Sequence, residues 1–195
     1  MSSTSISAPG RRGPAEGRSD RVDALVEATV AELRANGYDG LTVRNAARRA
    51  GVGAATAYTY FASKDHLVAE VFWRRLQTLA SAPVDGRHNA RTRVSNALRD
   101  LARLIADEPE LAAASTTAIL APDPDVQRLR NRIGTAFNQH LATALGEDAD
   151  PAVLRALNLA LAGALLQAGM GYFSYGDLAD RMDEVAGLLL GGSGR

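Results

Sequence analysis

The chain has 195 residues, 46% hydrophobic and 23% charged, with 22 Lys/Arg balanced by 22 Asp/Glu and no cysteine. That length can bury a substantial core as one large domain or two small ones, and the composition is ordinary for a globular protein. The lack of cysteine excludes disulfides, thiolate zinc sites and cysteine nucleophiles, and it fits a reducing, cytoplasmic compartment.

Residues 1–18 have little apolar surface to bury and contain Pro9, Gly10, Gly13, Pro14 and Gly17, so a disordered arm is expected. Arg11, Arg12 and Arg18 make it either a solvated tail or a basic arm that follows DNA. No apolar run of signal-peptide length lies between Met1 and Gly17. A first helix is expected from the capping residues Ser19 or Asp20 through Val22, Leu25, Val26, Thr29, Val30 and Leu33, ending at Asn36-Gly37. Thr42 then caps a short second helix (43–50), Gly51 makes a turn, and a third helix covers 54–60. Ser63 caps a long fourth helix reaching about Ser81, followed by a loop at Pro83–Gly86. Further helices are expected at 91–106, 110–120, 125–145, from Pro151 through Tyr175, and from 178 to about Leu190. No strand pattern or internal repeat occurs, so the expected fold is all-α with about nine helices. The apolar stretch from Ala152 to Tyr175 is interrupted by Arg155, Asn158 and Gln167 and is rich in small residues. A bilayer span needs about 20 mostly apolar residues, so an interface helix is expected there and no membrane contact.

The informative segment is Leu41 to Lys64, LTVRNAARRAGVGAATAYTYFASK. Two short helices joined at a glycine are the geometry of a helix-turn-helix, although an ordinary helical hairpin in a bundle has the same small residues. Ala47 lies four residues before Gly51, where the two helices approach closely, and Val52 plugs the angle between them. Ala57 and Tyr60 turn back toward a core. That leaves Gly53, Ala54, Ala55, Thr56 and Thr59 on a face free to enter a major groove. Thr56, Tyr58 and Lys64 are spaced as phosphate ligands around the third helix, and Arg44, Arg48 and Arg49 line the second. Charge supports this placement: residues 1–64 carry nine Lys/Arg against six Asp/Glu, and residues 65–195 thirteen against sixteen.

With these residues in register, the run Gly37-Tyr38, Leu41-Thr42-Val43, Ala47, Ala50-Gly51-Val52, Thr56, Tyr58, Tyr60-Phe61 and Ser63-Lys64 resembles the signature of the tetracycline-repressor-like (TetR) family, over about residues 20–68. The resemblance implies a helix-turn-helix domain over 19–64 and a helical regulatory and dimerisation domain over 65–195. It also implies a homodimer through the last two helices and a ligand-responsive repressor on a palindromic double-stranded DNA operator. By the same resemblance Thr42, Thr56, Tyr58 and Lys64, joined by Arg44, contact phosphates, while Gly53, Ala54, Ala55 and Thr59 read bases. The start of the recognition helix departs from the family: Gly53-Ala54-Ala55 replaces the more usual Ser-Lys-Gly type, removing a side-chain donor and a charge. Readout is therefore expected to lean on Thr56 and Thr59, thymine-methyl contacts and DNA shape.

In the regulatory half, Ala160, Ala162, Gly163, Ala164, Ala168, Gly169 and Gly171 lie among leucines, which suits close helix approach at an interface or within one subunit. A pocket for a small, apolar effector is expected among the fourth to eighth helices. Its candidate walls are Phe72, Trp73, Leu76, Leu101, Ile105, Thr117, Phe137, Leu141, Gln167, Met170, Tyr172 and Phe173. Few charges are expected on inward positions. His66, His88 and His140 lack metal-site spacing, and no cofactor motif is present. An enzyme has no visible nucleophile or acid–base set to work with. The remaining rival is a helical protein-interaction adaptor whose helix-turn-helix no longer binds DNA.

Overall fold

The computed structural model describes residues 14–79, 88–147 and 150–191. Among these, nine α-helices and one 3-10 turn carry the fold, with no strand: α1 (Pro14–Gly40), α2 (Val43–Arg49), α3 (Ala54–Tyr60), α4 (Lys64–Leu79), α5 (Ala90–Ala106), α6 (Pro109–Ala118), α7 (Pro124–Leu145), α8 (Pro151–Gly169) and α9 (Leu178–Leu190). The starts are set by side chains that accept from amides the helix leaves unpaired. Thr42 Oγ1 accepts from Asn45 N at 3.0 Å, Asn89 Oδ1 from Thr92 N at 2.9 Å, and Ser63 Oγ from His66 N at 3.1 Å. Asp123 and Asp150 cap α7 and α8 in the same way, each with proline next in the first turn.

The two largest boundary differences from the sequence reading are at the start of α1 and the end of α8. Residues 14–18, expected in the disordered arm, are already helical: α1 begins at Pro14, not at Ser19 or Asp20. Proline suits a first helical turn, and the Arg18 guanidinium lies 5.5 Å from the Tyr60 ring centroid, tying this turn to α3. The rest of the arm, with Arg11 and Arg12, lies outside the described residues, as does the loop at Pro83–Gly86. The second difference is α8, which ends at Gly169, six residues before Tyr175. Gly171 takes φ 81°, its N–H bonds to Ala168 O at 2.9 Å, and Tyr172 N–H bonds to Gln167 O at 3.1 Å. This paired closure, with a left-handed glycine, satisfies the last carbonyls and ends the helix.

Apolar side chains gather in two main clusters. The first holds Leu25, Val26, Val30 and Leu33 of α1 with Val43, Ala46, Ala47 and Ala57 of α2 and α3. The second holds the inner faces of α5, α7, α8 and α9, around Leu98, Leu101, Leu141, Leu157, Leu161 and Met182. Two helices belong to both. α4 gives Leu67, Val68 and Val71 to the first and Phe72 and Leu76 to the second. α6 gives Leu111, Ala114 and Ala118 to the first, and Ala112, one residue round the helix, to the second.

Gly51 takes φ 67°, with open space where a Cβ would stand. Gly51→Ala therefore adds only backbone strain, and chemical denaturation should show a loss of about 1 kcal/mol with an unchanged denaturant slope.

Candidate DNA-binding surface and effector cavity

The turn between α2 and α3 closes as the residues demand. Gly51 N–H bonds to Arg48 O at 3.3 Å and Val52 N–H to Ala47 O at 2.9 Å, the same paired closure that ends α8. Ala46, Ala47 and Ala57 are fully buried where α2, α3 and α1 meet, and Val52 is half-buried in the angle between the helices. α3 consequently turns Gly53, Ala55, Tyr58 and Thr59 to solvent, with Ala54 and Thr56 half-exposed beside them. Thr42, Arg44 and Arg48 are exposed on the adjoining side of α2. Thr59 Oγ1 donates to Thr56 O at 2.6 Å, which fixes its hydroxyl along the helix. Tyr60 is half-buried and Phe61 buried, so the aromatic pair anchors the end of α3.

Lys64 is held at the edge of this surface. Its Nζ donates to Tyr38 O at 3.0 Å and stands 4.0 Å from the Tyr38 ring centroid, and the Tyr38 hydroxyl donates to Asp65. Burial, then the Asp65 carboxylate, pushes the Tyr38 phenol pKa well up, so it stays a donor. One ammonium proton is used and two remain for an outside acceptor. Arg49, read from sequence as part of a basic line with Arg44 and Arg48, has another task. Its Nε donates to Glu32 Oε1 at 2.6 Å, and Asn36 Nδ2 donates to Glu32 Oε2 at 2.8 Å. Glu32 is 4% exposed, and the Arg49 hydrogen bond holds its carboxyl below the usual range against the opposing effect of burial. A buried carboxylate needs such partners.

In the regulatory half a cavity of about 390 Å³ is walled by three helical stripes. α6 supplies Ala112, Ser115, Thr116 and Ile119; α7 supplies Arg130, Ile133, Gly134 and Phe137; α8 supplies Asn158, Leu161, Ala162 and Leu165. Each set recurs at i, i+3 or i+4, and i+7, as one face of a helix must. Phe72 and Phe137 meet edge to face at 6.5 Å between centroids, and exposed Leu120 and Leu166 flank the opening.

Of the wall residues expected from sequence, Phe72, Ile105 and Phe137 line this cavity. Leu76, Leu101 and Leu141 do not: they are buried in the solid core beside it. Trp73 lies on another side of α4, with the Arg132 guanidinium 4.5 Å from its ring centroid. Thr117 faces solvent, as do Gln167, Met170 and Tyr172, because α8 stops before the last two. Phe173 is half-buried with Arg181 at 5.9 Å, in a shallow groove between α8 and α9. One charge, Arg130, lines the cavity, in keeping with the expectation of few inward charges. Sequence reasoning missed the polar wall of Ser115, Thr116, Arg130, Asn158 and Tyr175. The legible signal was Arg130 itself, a charge in register with Ile133 and Phe137.

α6 separates the two sites. One face packs Leu111, Ala114 and Ala118 on the helix-turn-helix core, while the face about a third of a turn away walls the cavity. Arginines hold both of its ends. Glu108, at its start, takes Arg75 Nε at 2.6 Å and Arg34 at 3.8 Å, and Arg75 also reaches Glu27 at 3.3 Å. At its far end Arg130 Nη1 donates to Ile119 O at 2.9 Å.

Two variants separate scaffold from surface. Arg49→Ala strands the Glu32 carboxylate and should cost about 2 kcal/mol in thermal or chemical unfolding, less than a fully buried pair because Arg49 itself is part-exposed. Arg44→Ala should leave unfolding unchanged within about 0.5 kcal/mol yet weaken binding to every DNA sequence in an anisotropy titration.

Known proteins share this arrangement. The family described as bacterial regulatory proteins, tetR family, matches residues 25–71. An HTH-type transcriptional regulator of Mycobacterium tuberculosis strain H37Rv is 45% identical over 173 residues, covering 87% of this chain and 80% of that one. The HTH-type transcriptional repressor KstR of Rhodococcus jostii is 28% identical over 183 residues, covering 90% and 85%. Among solved structures, a TetR transcriptional regulator from Rhodococcus sp. RHA1 has the same fold, with TM-score 0.76 at 22% identity over 91% of this chain and all of that one. FadR from Bacillus subtilis, solved in complex with stearoyl-CoA, gives TM-score 0.65 at 20% identity over 87% and 98%. A helix-turn-helix in register, an α-helical body behind it and a close relative along most of its length place the chain in the TetR family of ligand-responsive, DNA-binding transcriptional regulators.

Proposed function

We propose that the chain acts in the cytoplasm, without enzymatic activity, as a homodimeric repressor that leaves a palindromic operator when an effector enters the α6–α7–α8 cavity. The observation that carries this reading is the shared wall: α6 touches both the cavity and the helix-turn-helix core, so two arrangements of one helix can serve both sites. An effector shifts the balance only by its difference in affinity for the two arrangements. α4, which also spans both cores, moves with α6 because Arg75 ties it to Glu108. Thr42, Arg44, Thr56, Tyr58 and Lys64 grip phosphates, and Gly53, Ala54, Ala55 and Thr59 face the bases. Small side chains on that face favour readout of groove shape and thymine methyls over hydrogen bonding. FadR, with the same fold, takes stearoyl-CoA, which fits a mostly apolar effector here.

A second copy suits the outer face of α8. Leu159 is 76% exposed, Leu166 42% and Met170 62%, with Gly163 among them, and Leu188 of α9 is 83% exposed. By length and composition α8 is also the one helix among the described residues able to cross a membrane. Its Leu157 and Leu161 side packs into the core, which supports reading the outer side as a dimer seam. Two-fold pairing sets recognition helices about 34–36 Å apart, in successive major grooves.

Leu159→Arg should give a monomer by light scattering and a lower operator affinity. A variant that stays dimeric moves the seam elsewhere. The primary test is anisotropy of DNA from the gene's own upstream region across a salt series. Affinity should be sequence-selective and fall on the order of a thousandfold between roughly 50 and 200 mM salt. Equal, weak binding to unrelated DNA returns the adaptor reading.

A further inference from the structure

The polar groups on the cavity wall are not equivalent. Thr116 Oγ1 donates to Ala112 O at 3.1 Å and pairs with the Tyr175 hydroxyl at 3.2 Å. Asn158 Nδ2 reaches Leu154 O at 2.9 Å and Asn138 Oδ1 at 3.2 Å. These are satisfied within the protein. Ser115 is different: it is 3% exposed and its Oγ has no hydrogen-bond partner. Arg130 is different too. Among the described residues its one hydrogen bond goes to Ile119 O, and it has no ion pair. A half-buried guanidinium without a counter-charge and a buried hydroxyl without a partner are both costly unless something completes them. Ser115 lies one helical turn before Ile119, the residue Arg130 caps, so both donors belong to the same side of the cavity. Exposed Leu120 and Leu166 place that side at the opening, while Phe72, Ile105 and Phe137 leave the deeper end apolar.

We propose that the cavity takes a single-chain amphiphile with an anionic head: the head pairs with Arg130 and accepts from Ser115, and the chain fills the space against Phe72, Ile105 and Phe137. This rests on the reading of the cavity as the effector site and adds the chemical class of the effector. Arg130 suits the task because its forked donors match a carboxylate or phosphate, and one side of the fork is already fixed by Ile119 O. Because the same guanidinium caps the end of α6, capture of the anion is linked to the helix that packs on the helix-turn-helix core.

The test titrates the full chain, by calorimetry and thermal shift, with three probes of equal chain length: dodecanoate, 1-dodecanol and dodecyltrimethylammonium. Dodecanoate should bind about tenfold or more tighter than the alcohol, and the cation weakest. Arg130→Gln should bring the ratio of dodecanoate to alcohol affinity down to about one, and Arg130→Lys should keep most of the preference. Ser115→Ala should raise the melting temperature of the ligand-free protein, since an orphaned hydroxyl is gone, and yet weaken dodecanoate several-fold; a merely structural serine would not move the two in opposite directions. Equal affinity for all three heads, or an Arg130→Gln loss shared by the alcohol, overturns the anionic class and leaves a neutral effector in the same cavity. Failure of all three to bind a preparation that binds its operator overturns the proposal together with the effector site. Head-selective binding that leaves operator affinity unchanged supports the ligand class and removes the effector role.

Discussion

The packing of three α6 side chains, Leu111, Ala114 and Ala118, against α1 and α4 is the contact on which the rest depends. The helix-turn-helix is built from alanines at its closest points, Ala46, Ala47 and Ala57, and these bury little area per residue. α1 to α3 alone therefore leave a thin core. The deficit is made up from the regulatory half, by α4 through Leu67, Val68 and Val71 and by α6 through its own small residues. Small side chains at that joint let the helices come close, and close packing transmits displacement because interiors are dense and resist compression. The joint thus supports the DNA-binding domain and, in the mechanism proposed above, is the path by which the cavity reaches it.

The electrostatic pattern follows the same division. Formal net charge is zero, so attraction to DNA comes from placement and not from total charge. Arg44, Arg48 and Lys64 stand at the surface around α3, while Arg34, Arg49, Arg74 and Arg75 are engaged by carboxylates of α1, α4 and α6. Arginines spent on internal pairing hold the frame that points the free ones outward. Lys64, the only lysine, is oriented by Tyr38 through both a carbonyl and a ring face.

Much of this was legible in the residues. Caps and breakers have local causes, so Thr42, Ser63, Gly51 and Asp150-Pro151 mark their boundaries directly, and the face of α3 follows from helical periodicity alone. The family resemblance added DNA binding and ligand response, which periodicity cannot supply. The cavity was less legible. Phe72, Ile105 and Phe137 were found because large apolar residues line cavities, but Leu76, Leu101 and Leu141 are the same kind of residue and fill solid core. Which leucine meets a void depends on the register between helices distant in sequence. The polar wall was missed because Ser115 and Thr116 look like surface residues until α6 is seen to be covered on two sides. Tyr172 and Phe173 were misplaced because Gly171 ends α8, a stop that a run of small residues hides.

A joint shared by two halves has a consequence for modularity. Regulators of this shape invite transplantation of a DNA-reading head onto a foreign sensing body. Here the head carries only part of its own interior, and the missing part is Leu67, Val68 and Val71 of α4 with Leu111, Ala114 and Ala118 of α6, a helix that also bounds the cavity. A graft cut at Lys64 would expose apolar surface on the head unless the new body offered equally small side chains at equivalent points. The unit that can be exchanged between proteins is therefore the head together with α4 and α6, and with them goes one wall of the cavity proposed to hold the effector.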